Sequence, residues 1–169
     1  MTKQIVLSYF KANPNAIPPV YGTENAACFD LHACLIGERV RGFDRSNNKD
    51  FVIPQSNKIV INPGERVLVP TGLIFDIPAG FSVRLHARSG LSLKTGLVLA
   101  NAEGVVDSDY VDPTAIMVHN ISNVPVQINH GDRIAQGECV PVWQADFKEI
   151  DSAPGPKGDR RGGFGSTGV

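Results

Sequence analysis

No stretch of this sequence approaches the roughly 18 consecutive apolar residues that a membrane span requires. No secretory signal is expected either, because Lys3, Lys11 and several prolines interrupt any apolar run in residues 1–20, and a cytoplasmic location is expected. Cysteine is scarce: Cys28, Cys34 and Cys139 are odd in number and show no CxxC or Cys/His ligand spacing. Neither a disulfide framework nor a zinc site is expected from them, only reduced and mostly buried thiols. An excess of either charge is also missing. The formal net charge of −1 gives no broad electrostatic footprint for DNA or RNA, so phosphate binding must come from a few placed groups acting on a small anionic ligand. His32, His86, His119 and His130 form no pair with metal-ligand spacing and receive no role.

What the chain has in quantity is punctuation. Its 17 glycines and 12 prolines separate short apolar runs, as in a protein of many short strands. From Phe81 to Ala87 the alternation is strict, with Phe81, Val83, Leu85 and Ala87 on one face and Ser82, Arg84, His86 and Arg88 on the other. Similar runs occupy 65–70, 72–77, 115–121, 124–128 and 133–143. They predict an all-β fold, a jelly-roll-like antiparallel barrel or sandwich. One short helix is expected at about 90–95, with Ser89 capping its first amides, Lys94 in the last turn and Gly96 closing it. Residues 36–58 read as a long polar hairpin or surface insertion within a β domain of residues 1–150. The tail 151–169, rich in glycine, cannot pack as an element of its own and is expected to be flexible. Fully extended it spans roughly 60 Å, against a radius of gyration of about 15 Å for the globule, so it can reach another subunit.

Four segments carry groups suited to chemistry on a phosphorylated ligand. In Ala87-Arg88-Ser89-Gly90-Leu91 an arginine fork, a hydroxyl and free amides can cradle phosphate oxygens, although an isolated RSG is more often a plain turn. Between Asn101 and Tyr110, Asp107 or Asp109 can orient and deprotonate water, Asn101 can read a base edge and the ring of Tyr110 can exclude a sugar hydroxyl. Alone, such a DxDY is more often a capped hairpin turn. Gly131 through Gln136 would usually be a structural turn, with Gln136 the obvious ligand-facing candidate. In Gly162 through Gly168, usually the composition of a plain terminus, Phe164 can stack on a base while backbone amides, Ser166 and Thr167 close over phosphates.

Together with Ala26-Ala27-Cys28-Phe29-Asp30-Leu31, these segments resemble, in order and spacing, the five motifs of the trimeric dUTP pyrophosphatase family. The resemblance implies a homotrimer with sites at its subunit interfaces, closed by the C-terminal arm. It implies hydrolysis of dUTP to dUMP and pyrophosphate, which limits uracil incorporation into DNA and supplies dUMP for dTMP synthesis. Asp107 would activate the water, while Asn101, Gly104, Val105 and Val106 would read uracil and Tyr110 would exclude ribose. Arg88, Ser89, Gly90, Gln136, Ser166 and Thr167 would contact phosphates, with Arg160 favoured over Arg161 for the γ-phosphate. Mg²⁺ on the triphosphate would be held through water near Asp30, and Phe164 would stack over uracil. No other cofactor is implied.

The sequence departs from the family pattern at Val111-Asp112-Pro113, where an arginine and a glycine usually follow the tyrosine, and at Asp159-Arg160-Arg161. Two other readings use the same fold: a dCTP deaminase-like enzyme and a regulatory binding protein. Phe164 and the 107–110 hairpin favour hydrolysis over the first, and intact Asp107 and Arg88 argue against loss of catalysis in the second.

Overall fold

The computed structural model describes residues 5–52, 54, 57–159 and 162. Among them the strands are β1 (Ser8–Lys11), β2 (Val20–Tyr21), β3 (Phe29–His32), β4 (Val40–Phe43), β5 (Lys49–Val52), β6 (Lys58–Ile61), β7 (Arg66–Pro70), β8 (Leu73–Asp76) and β9 (Phe81–Ala87). After helix α1 (Ser89–Thr95) come β10 (Leu97–Leu99), β11 (Gly104–Val106), β12 (Ala115–Asn120), β13 (Val126–Asn129) and β14 (Arg133–Pro141).

Two five-stranded antiparallel sheets carry the fold, in the orders β10-β12-β7-β4-β5 and β11-β9-β14-β3-β2, with two-stranded pairs β1-β8 and β13-β6 beside them. Period-two alternation explains the packing. Val67, Val69, Ile116 and Val118 of the first sheet meet Leu31, Val83, Leu85 and Ile134 of the second in one buried cluster. Among the described residues each sheet ends in edge strands, so the architecture is mostly antiparallel β with one short helix, as expected, and of the expected barrel or sandwich the barrel is not closed.

The polar stretch 36–58 contains the β4–β5 hairpin, turned through Asp44, whose carboxylate accepts from the amides of Ser46 and Asn48 at 2.8 Å each. The hairpin is not detached from the core. Strand β4 pairs with β7, and Val40 is fully buried.

Helix α1 starts one residue earlier than its sequence signals suggest. Arg88 is the N-cap in extended conformation, no side chain caps the amides, and Ser89 is the first helical residue. Arg88 continues the path of β9, and its side chain turns to Asp30 instead. Gly96 closes the helix at φ 71°, donating its N–H to the Ser92 carbonyl, with Lys94 in the last turn. The three cysteines are free, and burial pushes each thiol above its ordinary value; Cys34 alone is fully buried.

Candidate active site

Four side chains converge on the outer face of the second sheet. Asp30, on β3, has a side chain only 8% exposed. Its Oδ1 accepts from Arg88 Nε at 3.1 Å and from Gln136 Nε2 at 3.4 Å, and its Oδ2 accepts from Arg133 Nη1 at 3.1 Å. Arg88 reaches in from the end of β9, and Gln136 stands directly opposite Asp30 in the β14–β3 register. Arg133 is the surprise. Residues three apart on a regular strand face opposite sides, so Arg133 and Gln136 should not meet. A register shift between Arg133 and Ala135 turns both toward Asp30, and Ile134 and Ala135 are consequently buried in succession. Sequence reasoning missed Arg133 because the bulge has no sequence signal of its own.

Ser89 and Gly90 lie exposed beside this ring at the uncapped start of α1. Next to Asp30, burial holds His32 below its ordinary imidazole value, opposed by Asp30 and assisted by Arg133 and Arg88.

The second group lies on the loop between β10 and β11 and on the turn after β11. A cavity of about 230 Å³ opens where β11 overlies β7 and β12, and Asn101, Gly104, Val105, Val106 and Tyr110 all line it, with Leu85, Leu99 and Met117 among its apolar walls. Gly104 is required by close approach: a Cβ there would sit 2.9 Å from both Cβ and Cδ1 of Leu85. Ala102 turns the loop at φ 61°, a conformation that costs a residue with a Cβ.

The Tyr110 amide donates to the Asp107 carbonyl at 3.2 Å, which closes a turn, and its hydroxyl donates to the Pro113 carbonyl at 3.4 Å. Val111-Asp112-Pro113 therefore supports this tyrosine through a backbone carbonyl. Asp107 and Asp109 are exposed and line a separate opening of about 680 Å³ beside Phe81.

The two groups do not meet within one chain. Asp30 is level with His86, whereas Asp107 follows Val106, the partner of Val83. Four steps along the strands (about 13 Å) and three strand spacings across the sheet (about 14 Å) put the backbones at Asp30 and Asp107 about 20 Å apart. The links of a triphosphate do not bridge such a gap.

A family model described as dUTPase matches residues 42–168. The chain is 36% identical over 158 residues to the deoxyuridine 5'-triphosphate nucleotidohydrolase of Nautilia profundicola, covering 94% of this chain and 95% of the relative. The chain belongs to the dUTPase family. A second dUTPase relative, the deoxyuridine 5'-triphosphate nucleotidohydrolase of Roseobacter denitrificans, is 45% identical over 151 residues, covering 89% of this chain and 86% of its own. The fold matches the Staphylococcus bacteriophage 80alpha dUTPase with dUPNHPP at a TM-score of 0.76 and 23% identity, over 98% of this chain and 100% of that one. It also matches a mutant dUTPase from phage phi11 of S. aureus, whose structure reveals the coordination of a structural Mg(II) ion, at a TM-score of 0.70 and 21% identity, over 89% of this chain and 100% of that one.

Of the residues the dUTPase motifs single out, Arg160, Phe164, Ser166 and Thr167 lie outside the described residues. The segment leading toward them leaves β14 without regular structure from Val142 to Ile150. It carries Trp143 and Phe147, 93% and 95% exposed. No helix among the described residues is long and apolar enough to cross a membrane.

Proposed function

We propose that this protein hydrolyses dUTP to dUMP and pyrophosphate in the cytoplasm, at sites shared between the subunits of a homotrimer. One observation supports the reading: the hairpin bearing Asp107, next to the cavity lined by Asn101 and Tyr110, and the donors gathered on Asp30 occupy separate parts of one chain, with Asp107 and Asp30 about 20 Å apart along the paired strands. Joining the Asp107 hairpin of one copy to the Arg88 cradle of another makes a complete site. The exposed Trp143 and Phe147 suit a segment that leaves its own globule to cover a neighbour.

In this reading the amide of Asn101 and the backbone from Gly104 to Val106 recognise the uracil edge. Tyr110, held through Pro113, occupies the space a 2′-hydroxyl would need. Asp107, exposed on the turn that leads to Tyr110, orients a water and accepts its proton as the oxygen attacks the α-phosphorus, and pyrophosphate departs. Arg88, Ser89, Gly90 and Gln136 hold the phosphate chain in line for that attack. Arg160, Phe164, Ser166 and Thr167 close over the bound nucleotide. The 151–169 segment acts as the closing arm on a β domain of residues 1–150.

Asp30 bears on the metal. A carboxylate accepts about four hydrogen bonds, and Asp30 already takes three, two at Oδ1 and one at Oδ2. The donor set therefore fits Mg²⁺ held through water, as this reluctantly dehydrated ion prefers, and does not fit direct ligation. When bound on the triphosphate, Mg²⁺ supplies charge neutralisation to the leaving pyrophosphate.

Purified protein incubated with Mg²⁺ and dUTP, dCTP or UTP should convert only dUTP efficiently, to dUMP and pyrophosphate. Asp107→Asn should lower kcat by on the order of 10²–10⁴ while retaining nucleotide binding. Release of ammonia from dCTP, or near-unaltered turnover in the variant, would overturn the assignment.

A further inference from the structure

A second constellation lies on the sheet face that bears the Asp30 ring, two residues from each of three of its members. Cys28 precedes Asp30, His86 precedes Arg88, and Glu138 follows Gln136; the strand period of two brings His86 and Glu138 to one face, and Cys28 stands beside them in the bend that enters β3. The Cys28 thiol sulfur, a ring nitrogen of His86 and a carboxylate oxygen of Glu138 lie within 4.8 Å of one another. His86 Nε2 stands 3.4 Å from Glu138 Oε2, yet it is shielded from solvent and makes no hydrogen bond among the described residues. The other ring nitrogen, Nδ1, faces Glu103 Oε1 at 3.8 Å, and the second oxygen of Glu103 takes Arg84 Nη1 at 3.2 Å.

We propose that Cys28, His86 and Glu138 form a zinc site that staples β9 and β14 to the bend entering β3, beneath the phosphate cradle. The donor set decides the metal. A thiolate and an imidazole select a borderline-soft cation and suit Mg²⁺ poorly, so this site is separate from the nucleotide's metal. Tetrahedral Zn²⁺ places its ligand atoms about 3.5 Å apart, so side-chain rotation must close the observed spread by about 1 Å. Three protein ligands leave a fourth position for water, and one thiolate with one carboxylate balances the cation. Glu103 stands 3.8 Å from the remaining ring nitrogen, Nδ1, placed as an outer partner that can orient a ligating histidine.

The signal was invisible to ligand spacing because the three residues are far apart in sequence and are brought together only by the fold, through the pairing of β9 with β14 and the bend entering β3. One two-residue repeat, about 7 Å, separates the site from the cradle, so the metal would position the strands rather than touch the nucleotide.

The test is a titration of the full-length, chelator-treated protein with Co²⁺ and then Zn²⁺. One equivalent per chain should bind, Co²⁺ should give thiolate-to-metal charge-transfer absorption, and Zn²⁺ should displace it and raise Tm. Cys28→Ser should abolish the band, whereas Cys34→Ser and Cys139→Ser keep it. Glu103→Gln, which retains every ligand, should weaken Zn²⁺ binding about 10–100-fold, and His86→Gln or Glu138→Gln should weaken it more. Should Cys28→Ser fail to fold, the Glu138→Gln affinity decides alone. No charge-transfer band in the unmutated protein, a band surviving in folded Cys28→Ser, or unchanged affinity in Glu138→Gln would overturn the site.

Discussion

Arg88 donates from Nε to Oδ1 of Asp30 at 3.1 Å, and that bond ties the end of β9 to the middle of β3 across the intervening strand β14. With Arg133 and Gln136 on the same carboxylate, Asp30 is the hub of the cradle, so its charge orients two guanidinium groups at once. Asp30→Asn should therefore cost about 1.5–3 kcal/mol, the scale of hydrogen bonds to a charged group. Arg133 has a side chain 54% exposed, and Arg133→Gln should cost under about 1 kcal/mol. Urea denaturation of both variants checks the ordering; equal losses would show that the ring has no hub.

Much of this arrangement was legible in the sequence. Alternation from Phe81 to Ala87 located a strand, and the paired register puts Gln136 opposite Asp30. Arg133 was hidden because a bulge reverses the facing of residues three apart, and periodicity assumes an unbroken register. Ser82 was assigned outward by the same alternation yet is buried, since alternation cannot report what later covers a sheet's outer face. Ser89 had the composition of an N-cap, but the Arg88 backbone stays extended and moves the cap one residue back. The residues that line the Asn101–Tyr110 cavity were readable as types, whereas the separation of about 20 Å between Asp107 and Asp30, estimated from register, required strand pairing to be known.

Gly104 should tolerate no larger residue. A Cβ placed 2.9 Å from two Leu85 atoms must displace either β11 or the side chain beneath it, and overpacking of this kind costs about 1–3 kcal/mol. Gly104→Ala should lower Tm and weaken deoxyuridine nucleotide binding together, because Leu85 lines the same cavity. Binding affinity unchanged at lowered Tm would separate the pocket from the packing.

The β4–β5 turn should loosen in acid. Hydrogen bonds from the Asn48 side chain, the Asn48 amide and the Ser46 amide hold Asp44 below its ordinary carboxylate value. A depressed folded value means that the contribution is present above the unfolded pKa and disappears as pH falls through the folded one. Protection of the Ser46 and Asn48 amides, taken relative to their intrinsic exchange rates, should fall over that acid range in the unmutated protein. In Asp44→Ala it should already be low at neutral pH. A pH-independent difference between the two proteins would place the effect elsewhere.

Tyr110 should set the sugar preference. It lines the cavity it shares with Asn101 and its hydroxyl is tied to the Pro113 carbonyl, so it cannot swing aside without breaking that contact. Tyr110→Ala should raise UTP turnover relative to dUTP, read as the ratio of kcat/KM values. An unaltered ratio would move ribose exclusion to another residue.

Site sharing yields the most discriminating prediction. Asp107→Asn chains keep the arm and lose the base, whereas chains truncated after Ala153 keep the base and lose the arm. If each site takes its hairpin and its arm from different subunits, neither variant works alone but mixed trimers rebuild intact sites. Random equimolar assembly gives mixed composition in about three-quarters of cyclic trimers, and each such trimer holds about one intact site in three. The product predicts recovery of about a quarter of wild-type activity. A tail that folds back onto its own hairpin would restore nothing, because every chain then lacks one half of its site. Mass spectrometry must first confirm that mixed trimers are present. With that established, activity no greater than the sum of the two separate variants would rule out exchange of the arm between subunits.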